Sequence, residues 1–226
     1  VSEKTKVSIV RAKLPVTAGA ISTMTRKAIA LVGGIETLVK KGDTVAIKPN
    51  LFAPYPPPIS VDRRVIGSLV ALCREAGAQR VIVIEGLSVG SLIKRVNVDT
   101  SESSGEMYRG MRTVDIMRLL GVQKAVEDAG GEVCGVEDAE TEQVTVSGGN
   151  VLHNVSYPKI VLEADVLIDL PALKTHTMTM VTLGIKNFQG LLNAGDRYFG
   201  HRDDLDQHMV DINKIRKPDL TLVDGL

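Results

Sequence analysis

The sequence predicts an α/β fold on a mainly parallel layered sheet with a β-hairpin insertion. Short β-branched runs alternate with longer amphipathic stretches through the first half of the chain. The run Arg80-Val-Ile-Val-Ile-Glu85 is apolar enough to be covered on both faces, as parallel strands are. Three Phe, four Tyr and no Trp leave an aliphatic core, which suits packed α/β layers.

Lys6-Val-Ser-Ile-Val-Arg11 reads as a first strand, residues 18–39 as a helix and residues 43–48 as a second strand. After a proline-rich turn region over residues 49–58, a helix over 61–76 is stopped by Gly77, and the strand 80–85 follows. Residues 87–112, with Thr100-Ser-Glu-Ser-Ser-Gly105 at their centre, are polar and predict a mobile loop insertion over the sheet edge. A helix over 114–129 ends at Gly130-Gly131, and a strand over 132–136 comes next. Gln143-Val-Thr-Val-Ser147 and Asn150-Val-Leu-His-Asn-Val155 bracket Gly148-Gly149, whose freedom at positive φ predicts a hairpin. The α/β pattern then resumes with a strand over 163–169, a glycine-bearing helix over 179–192, a polar helix over 203–215 and a strand over 217–224. The whole predicts a single Rossmann-like α/β domain over residues 1–226. It breaks off after a strand, where such units normally continue, so the C-terminus is expected to be incomplete.

Composition excludes several function classes. The chain of 226 residues is 44% hydrophobic and 24% charged, with 27 basic against 27 acidic side chains. Zero formal charge argues against a nucleic-acid partner, which needs a broad excess of Lys and Arg. No apolar run reaches the roughly 18 residues of a membrane span. Cys73 and Cys134, the two cysteines, supply neither a disulfide framework nor the four thiolates of an iron–sulfur cluster within this chain. A cytoplasmic location is expected, although the missing initiator Met leaves open a processed N-terminus that has lost an export signal.

In open parallel sheets the ligand crevice lies beyond the carboxyl ends of the strands. Those ends here carry Lys48, Asn50, Glu85, Asp169 and Asp224, with Lys174 and His176 just beyond, and one polar rim is expected to gather them. The densest cluster runs from Lys174 to Asn187. Lys174, Thr175, His176, Thr177, Thr179, Thr182 and Lys186 put two cations, an imidazole and four hydroxyls together, with Gly184 permitting close backbone approach. Such a set suits a small phosphorylated or carboxylated anion held at a helix N-terminus. The alternative is that the threonines cap a helix and both lysines reach into solvent. His201 and His208 flank an acidic segment and, seven residues apart on one helix, present a metal-ligand pair; the alternative is a solvated acidic face.

Lys48-Pro-Asn50-Leu, the stretch from Glu163 to His176, Val181-Thr-Leu-Gly-Ile-Lys-Asn187 and Pro218-Asp-Leu-Thr-Leu-Val-Asp-Gly225 together resemble the prokaryotic domain-of-unknown-function 362 family over nearly the whole chain. That resemblance implies a redox or metallocofactor setting and a ferredoxin-type partner module. A more distant likeness is to the N-terminal domain of nickel-dependent lactate racemase. It implies a nickel- or other metal-containing nucleotide carried by Lys186, with His176 as acid/base group, His201 as metal ligand and Asn50 near the substrate. Residues and resemblance together point to catalytic His176 and Lys186, a ligand set of Lys48, Asn50, Asp169, Lys174, Thr175, Gly184 and Asn187, and a metal pair of His201 and His208. The expected chemistry is isomerase- or oxidoreductase-like, by proton or hydride movement. The competing expectation is a non-catalytic carrier that docks a ferredoxin-like protein.

Overall fold

A computed structural model describes residues 5–13, 15–52, 54–86, 111–202 and 204–226. Five strands form one parallel sheet: β1 (Thr44–Pro49), β2 (Arg80–Glu85), β3 (Glu132–Gly135), β6 (Val166–Leu170) and β9 (Leu220–Thr221). Two antiparallel hairpins lie outside it, β4 (Thr141–Thr145) with β5 (Asn154–Pro158) and β7 (Thr175–His176) with β8 (Met180–Val181). The helices are α1 (Ala18–Ala30), α2 (Arg63–Glu75), α3 (Thr113–Leu119), α4 (Val122–Asp128), α5 (Lys159–Glu163), α6 (Leu183–Asn187), α7 (Ala194–Arg202) and α8 (Leu205–Ile215).

Successive side chains of a strand point to opposite faces, so each central strand feeds two cores. Val45 and Ile47 of β1, Val81 and Val83 of β2, and Val166 and Ile168 of β6 pack with Ile66, Leu69 and Val70 of α2 on one side. Ala46, Ile84 and Leu167 face the other side, against Tyr157, Phe188, Leu191 and Ile212. Between these layers the strands read as unbroken apolar runs. Asp211, wholly buried on α8, accepts from the backbone N–H groups of Asn150, Val151 and Leu152 at 2.8, 2.8 and 3.1 Å and so pins the β4–β5 loop to that helix.

Strand order in the sheet is β3-β2-β1-β6-β9. From β1 the chain builds outward to β2 and β3, and the later strands β6 and β9 lie on the opposite side. The direction of winding therefore reverses between β1 and β6, and loops diverge there to leave a crevice beyond the strand ends. Register sets Lys48 of β1 beside Asp169 of β6.

Several expectations need correction. Residues 6–11 form no strand: alternation is a local signal, a strand needs a paired neighbour, and here Val7 and Ile9 lie exposed while Ser8 Oγ donates to Ala28 O at 2.6 Å. The helix predicted over 18–39 stops at Ala30 because Gly33 and Gly34 take positive φ, and residues 35–37 make a separate 3-10 turn. Left-handed Gly121 divides the helix predicted over 114–129 into α3 and α4. The hairpin is real but pairs further from its turn than predicted, with Thr145 opposite Asn154. In place of a helix over 179–192 the chain makes the β7–β8 hairpin, the five-residue α6 and a 3-10 turn over Phe188–Leu191. The loop predicted over 87–112 falls, except for Met111 and Arg112, outside the described residues.

Candidate functional site

The apolar run of β1 ends in Lys48, and that side chain has no exposed surface. Its Nζ lies 2.7 Å from Glu85 Oε1 at the end of β2 and also donates to Pro49 O at 2.8 Å and Asn187 Oδ1 at 3.2 Å. Glu85 in turn accepts from Leu51 N through Oε2 and from Gly86 N through Oε1, each at 2.9 Å. A buried ion pair is tolerated only when its remaining donors and acceptors are satisfied in this way. Burial pushes the Lys48 ammonium below its ordinary pKa, with Glu85 opposing. Two glycines make room. A Cβ at Gly190 would fall on the Glu85 carboxylate and 2.6 Å from Lys48 Nζ, and one at Gly86 would strike Gly190 O and the Arg197 guanidinium.

Asn187, the last residue of α6, ties the two central strands together. Its Nδ2 donates to Asp169 Oδ1 at 2.7 Å and Lys48 O at 2.8 Å, and its Oδ1 accepts from Lys48 Nζ and from Asn50 Nδ2, both at 3.2 Å. That uses both donors and both lone pairs of the amide. Behind it Asp169 is buried, and burial raises its carboxyl to about 7 against the opposing Asn187 bond and Lys48 charge. Gly184 packs on this carboxylate: a Cβ there would sit 2.7 Å from Asp169 Oδ2.

In front of this network opens a cavity of about 530 Å³. Among the described residues its walls hold four cationic side chains, Lys48, Lys174, Lys186 and Arg197, against one carboxylate, Glu85. Since Glu85 already faces Lys48, positive charge is in surplus. Lys174 Nζ donates to Ile59 O at 2.6 Å and lies 5.4 Å from the Phe52 ring centroid. Lys186 has no hydrogen bond or ion pair among the described residues. Burial lowers both amines to about 8, helped at Lys186 by the neighbouring cations Arg197, Lys174 and Lys48. Arg197, fully enclosed, donates to Gly190 O at 2.6 Å and Leu192 O at 3.0 Å and is pushed down to about 10 by burial. His176 lines the same cavity. Its Nδ1 accepts from Met178 N at 3.2 Å and Thr179 N at 3.3 Å, which makes the ring the neutral tautomer with its proton on Nε2.

The structure thus brings together Lys48, Asn50, Lys174, Thr175, His176, Lys186 and Asn187. Asp169 and Gly184 stand one layer behind the wall. Asp224 leaves the rim: it accepts from Asp62 N at 2.8 Å, where Asp62 caps α2, and from Leu226 N at 3.0 Å. His201 and His208 do not share a helix, because Asp204 caps α8 and starts it afresh after α7. His208 is buried against Gly200 and 3.3 Å from Gln189 Nε2, outside the cavity lining. Among the described residues no three His, Cys, Asp or Glu side chains converge to hold a metal ion. Sequence reasoning overlooked Arg197 and Gln189, polar residues whose burial depends on how α7 and the preceding 3-10 turn fold back on the sheet. The glycines Gly86 and Gly190 were the available signal.

Residues 45–226 match a family model described as a domain of unknown function, DUF362. A thylakoid-associated protein of Synechocystis sp. is 25% identical over 217 residues, which cover 92% of this chain and 60% of that protein. A crystal structure of a Thermotoga maritima protein aligns with 92% of this chain and 51% of its own, at 12% identity and a TM-score of 0.42. The chain therefore spans only part of the length of these relatives. Among the described residues no helix is long and apolar enough to cross a membrane.

Proposed function

Because this chain belongs to the DUF362 family, whose function is unknown, we propose its role from the cavity itself: it binds a small phosphorylated or carboxylated molecule at the β1/β6 switch point and moves a proton on it. The surplus of cationic side chains in the cavity carries this reading. A half-enclosed site strengthens every charge interaction inside it, so Lys174 and Lys186 attract an anion more strongly there than on an open surface. Lys186, with no hydrogen bond or ion pair among the described residues, is the cation left for a ligand. Lys48 and Glu85 neutralise one another and hold the floor rigid.

The same amine serves for proton transfer. A group lowered to about 8 exchanges its proton readily near neutral pH, and neutral His176 with its proton on Nε2 is a donor on the same wall.

Calorimetric titration with inorganic phosphate and with acetate tests the reading. At least one of them is expected to bind, with affinity reduced tenfold or more, about 1.4 kcal/mol, in Lys186→Ala and in Lys174→Ala. Unchanged affinity in both variants, or no binding of either anion by the parent protein, contradicts it.

A further inference from the structure

The cavity wall has a second chemistry that cations do not explain. Three buried oxygens on lining residues, Asn50 Oδ1, Thr182 Oγ1 and Gln189 Oε1, have no hydrogen-bond partner among the described residues, and Thr182 and Gln189 are themselves only 5% and 2% exposed. A buried polar atom without a partner costs free energy, so such atoms in native proteins mark a place that something else completes.

Their orientation follows from their neighbours. Asn187 Nδ2 must donate to the carbonyl of Lys48, which turns Asn187 Oδ1 toward Asn50. Asn50 therefore answers with Nδ2, and its Oδ1 is the atom left over. Gln189 Nε2 lies 3.3 Å from His208 Nδ1, a contact in which Nε2 donates when the His208 proton sits on its own Nε2, and this arrangement leaves Gln189 Oε1. Two of the three orphans accept only, and the third is a hydroxyl that accepts or donates. Their counterpart is a ligand with hydrogen-bond donors. An ammonium group would meet repulsion from Lys174, Lys186 and Arg197, so the donors must be uncharged.

Building on the anion reading above, we propose that the ligand is a polyhydroxylated small anion, with its phosphate or carboxylate on the lysines and at least two hydroxyls on the acceptors of Asn50, Gln189 and Thr182. A site that hydrogen-bonds hydroxyls discriminates strongly against the analogue lacking them, because its own polar groups are then left unpaired.

Two matched pairs of probes test this: glycerol 3-phosphate against n-propyl phosphate, and glycerate against propionate. Within a pair the carbon chain and the anionic group are the same and only the hydroxyls differ. In calorimetric titrations the hydroxylated member of at least one pair is expected to bind tenfold or more tightly than its deoxy partner. Thr182→Val, isosteric with the parent, is expected to reduce that preference at least threefold, and Gln189→Leu to do so where thermal unfolding shows it folded. Equal affinity within both pairs overturns the inference and leaves the anion site standing. A hydroxyl preference that survives unchanged in Thr182→Val and in folded Gln189→Leu overturns the assignment to these acceptors. If none of the four probes binds, the anion reading fails and this inference fails with it.

Discussion

Lys48 Nζ and Glu85 Oε1 lie 2.7 Å apart at the ends of adjacent parallel strands, with almost no exposure of either side chain. Replacing Lys48 by Met leaves the buried Glu85 carboxylate, among the described residues, with the N–H groups of Leu51 and Gly86 and the more distant charge of Arg197 in place of its 2.7 Å partner. Removing one member of such a pair costs about 3–5 kcal/mol, since the other charge stays uncompensated. Urea unfolding of Lys48→Met is expected to show that loss, and Lys48→Met/Glu85→Gln is expected to recover part of it. A loss below about 1 kcal/mol in the single variant would mean that the pair is better solvated than its geometry indicates.

Anion affinity is expected to fall as pH rises through about 8, where Lys174 and Lys186 lose their protons. Near that pH binding takes up protons, which calorimetry in buffers of different ionisation enthalpy detects. Unfolding returns both amines toward 10.5, so between about 8 and 10.5 the unfolded chain binds more protons and stability of the free protein rises with pH. Lys186→Arg keeps the charge, and its affinity is expected to persist to higher pH than the parent's. An affinity independent of pH from 7 to about 9.5 contradicts the assignment.

Asp169 titrates in the opposite sense. Its carboxyl, raised from 3.8 to about 7, holds a proton in the folded state that the unfolded chain releases. Stability is therefore expected to decline as pH rises from about 4 to about 7, by an amount on the order of a few kcal/mol. Asp169→Asn removes this slope and retains an acceptor for Asn187. Thermal unfolding across that pH range checks it, and an unaltered slope in the variant sinks the prediction.

Gly190→Ala is expected to lower stability by about 1–3 kcal/mol, the usual cost of overpacking, because its methyl would meet both Glu85 and Lys48. The displaced carboxylate also disturbs the cavity, so phosphate affinity should fall with stability. Gly148→Ala, where nothing lies within 4 Å of the added carbon, is the comparison, and its positive φ produces only local strain.

The parts legible in the sequence were those with a strong local pattern. Arg80–Glu85 was read to its exact ends because an unbroken β-branched run lies between a glycine turn and a charged stop. The rim residues Lys48 and Asn50 were legible because polar groups at the end of an apolar strand are conspicuous. Where partners decide the outcome, the pattern misled. Val7 and Ile9 alternate as a strand does yet pair with nothing in the sheet, and residues 179–181, which read as the start of a helix over 179–192, instead close a hairpin with Thr175–His176, with Met180 at positive φ. Arg197 reads as one more surface cation until α7 turns it back beneath Gly86 and Gly190. The pairing of His201 with His208 assumed one helix, and the cap at Asp204 makes two.

Crystals soaked in tungstate, a heavy tetrahedral stand-in for phosphate, provide the most direct measurement. An anomalous peak inside the β1/β6 cavity, within hydrogen-bond reach of Lys186 Nζ and absent from Lys186→Ala crystals, is the expected result. Peaks confined to the outer surface, with the cavity empty, would contradict an anion site there.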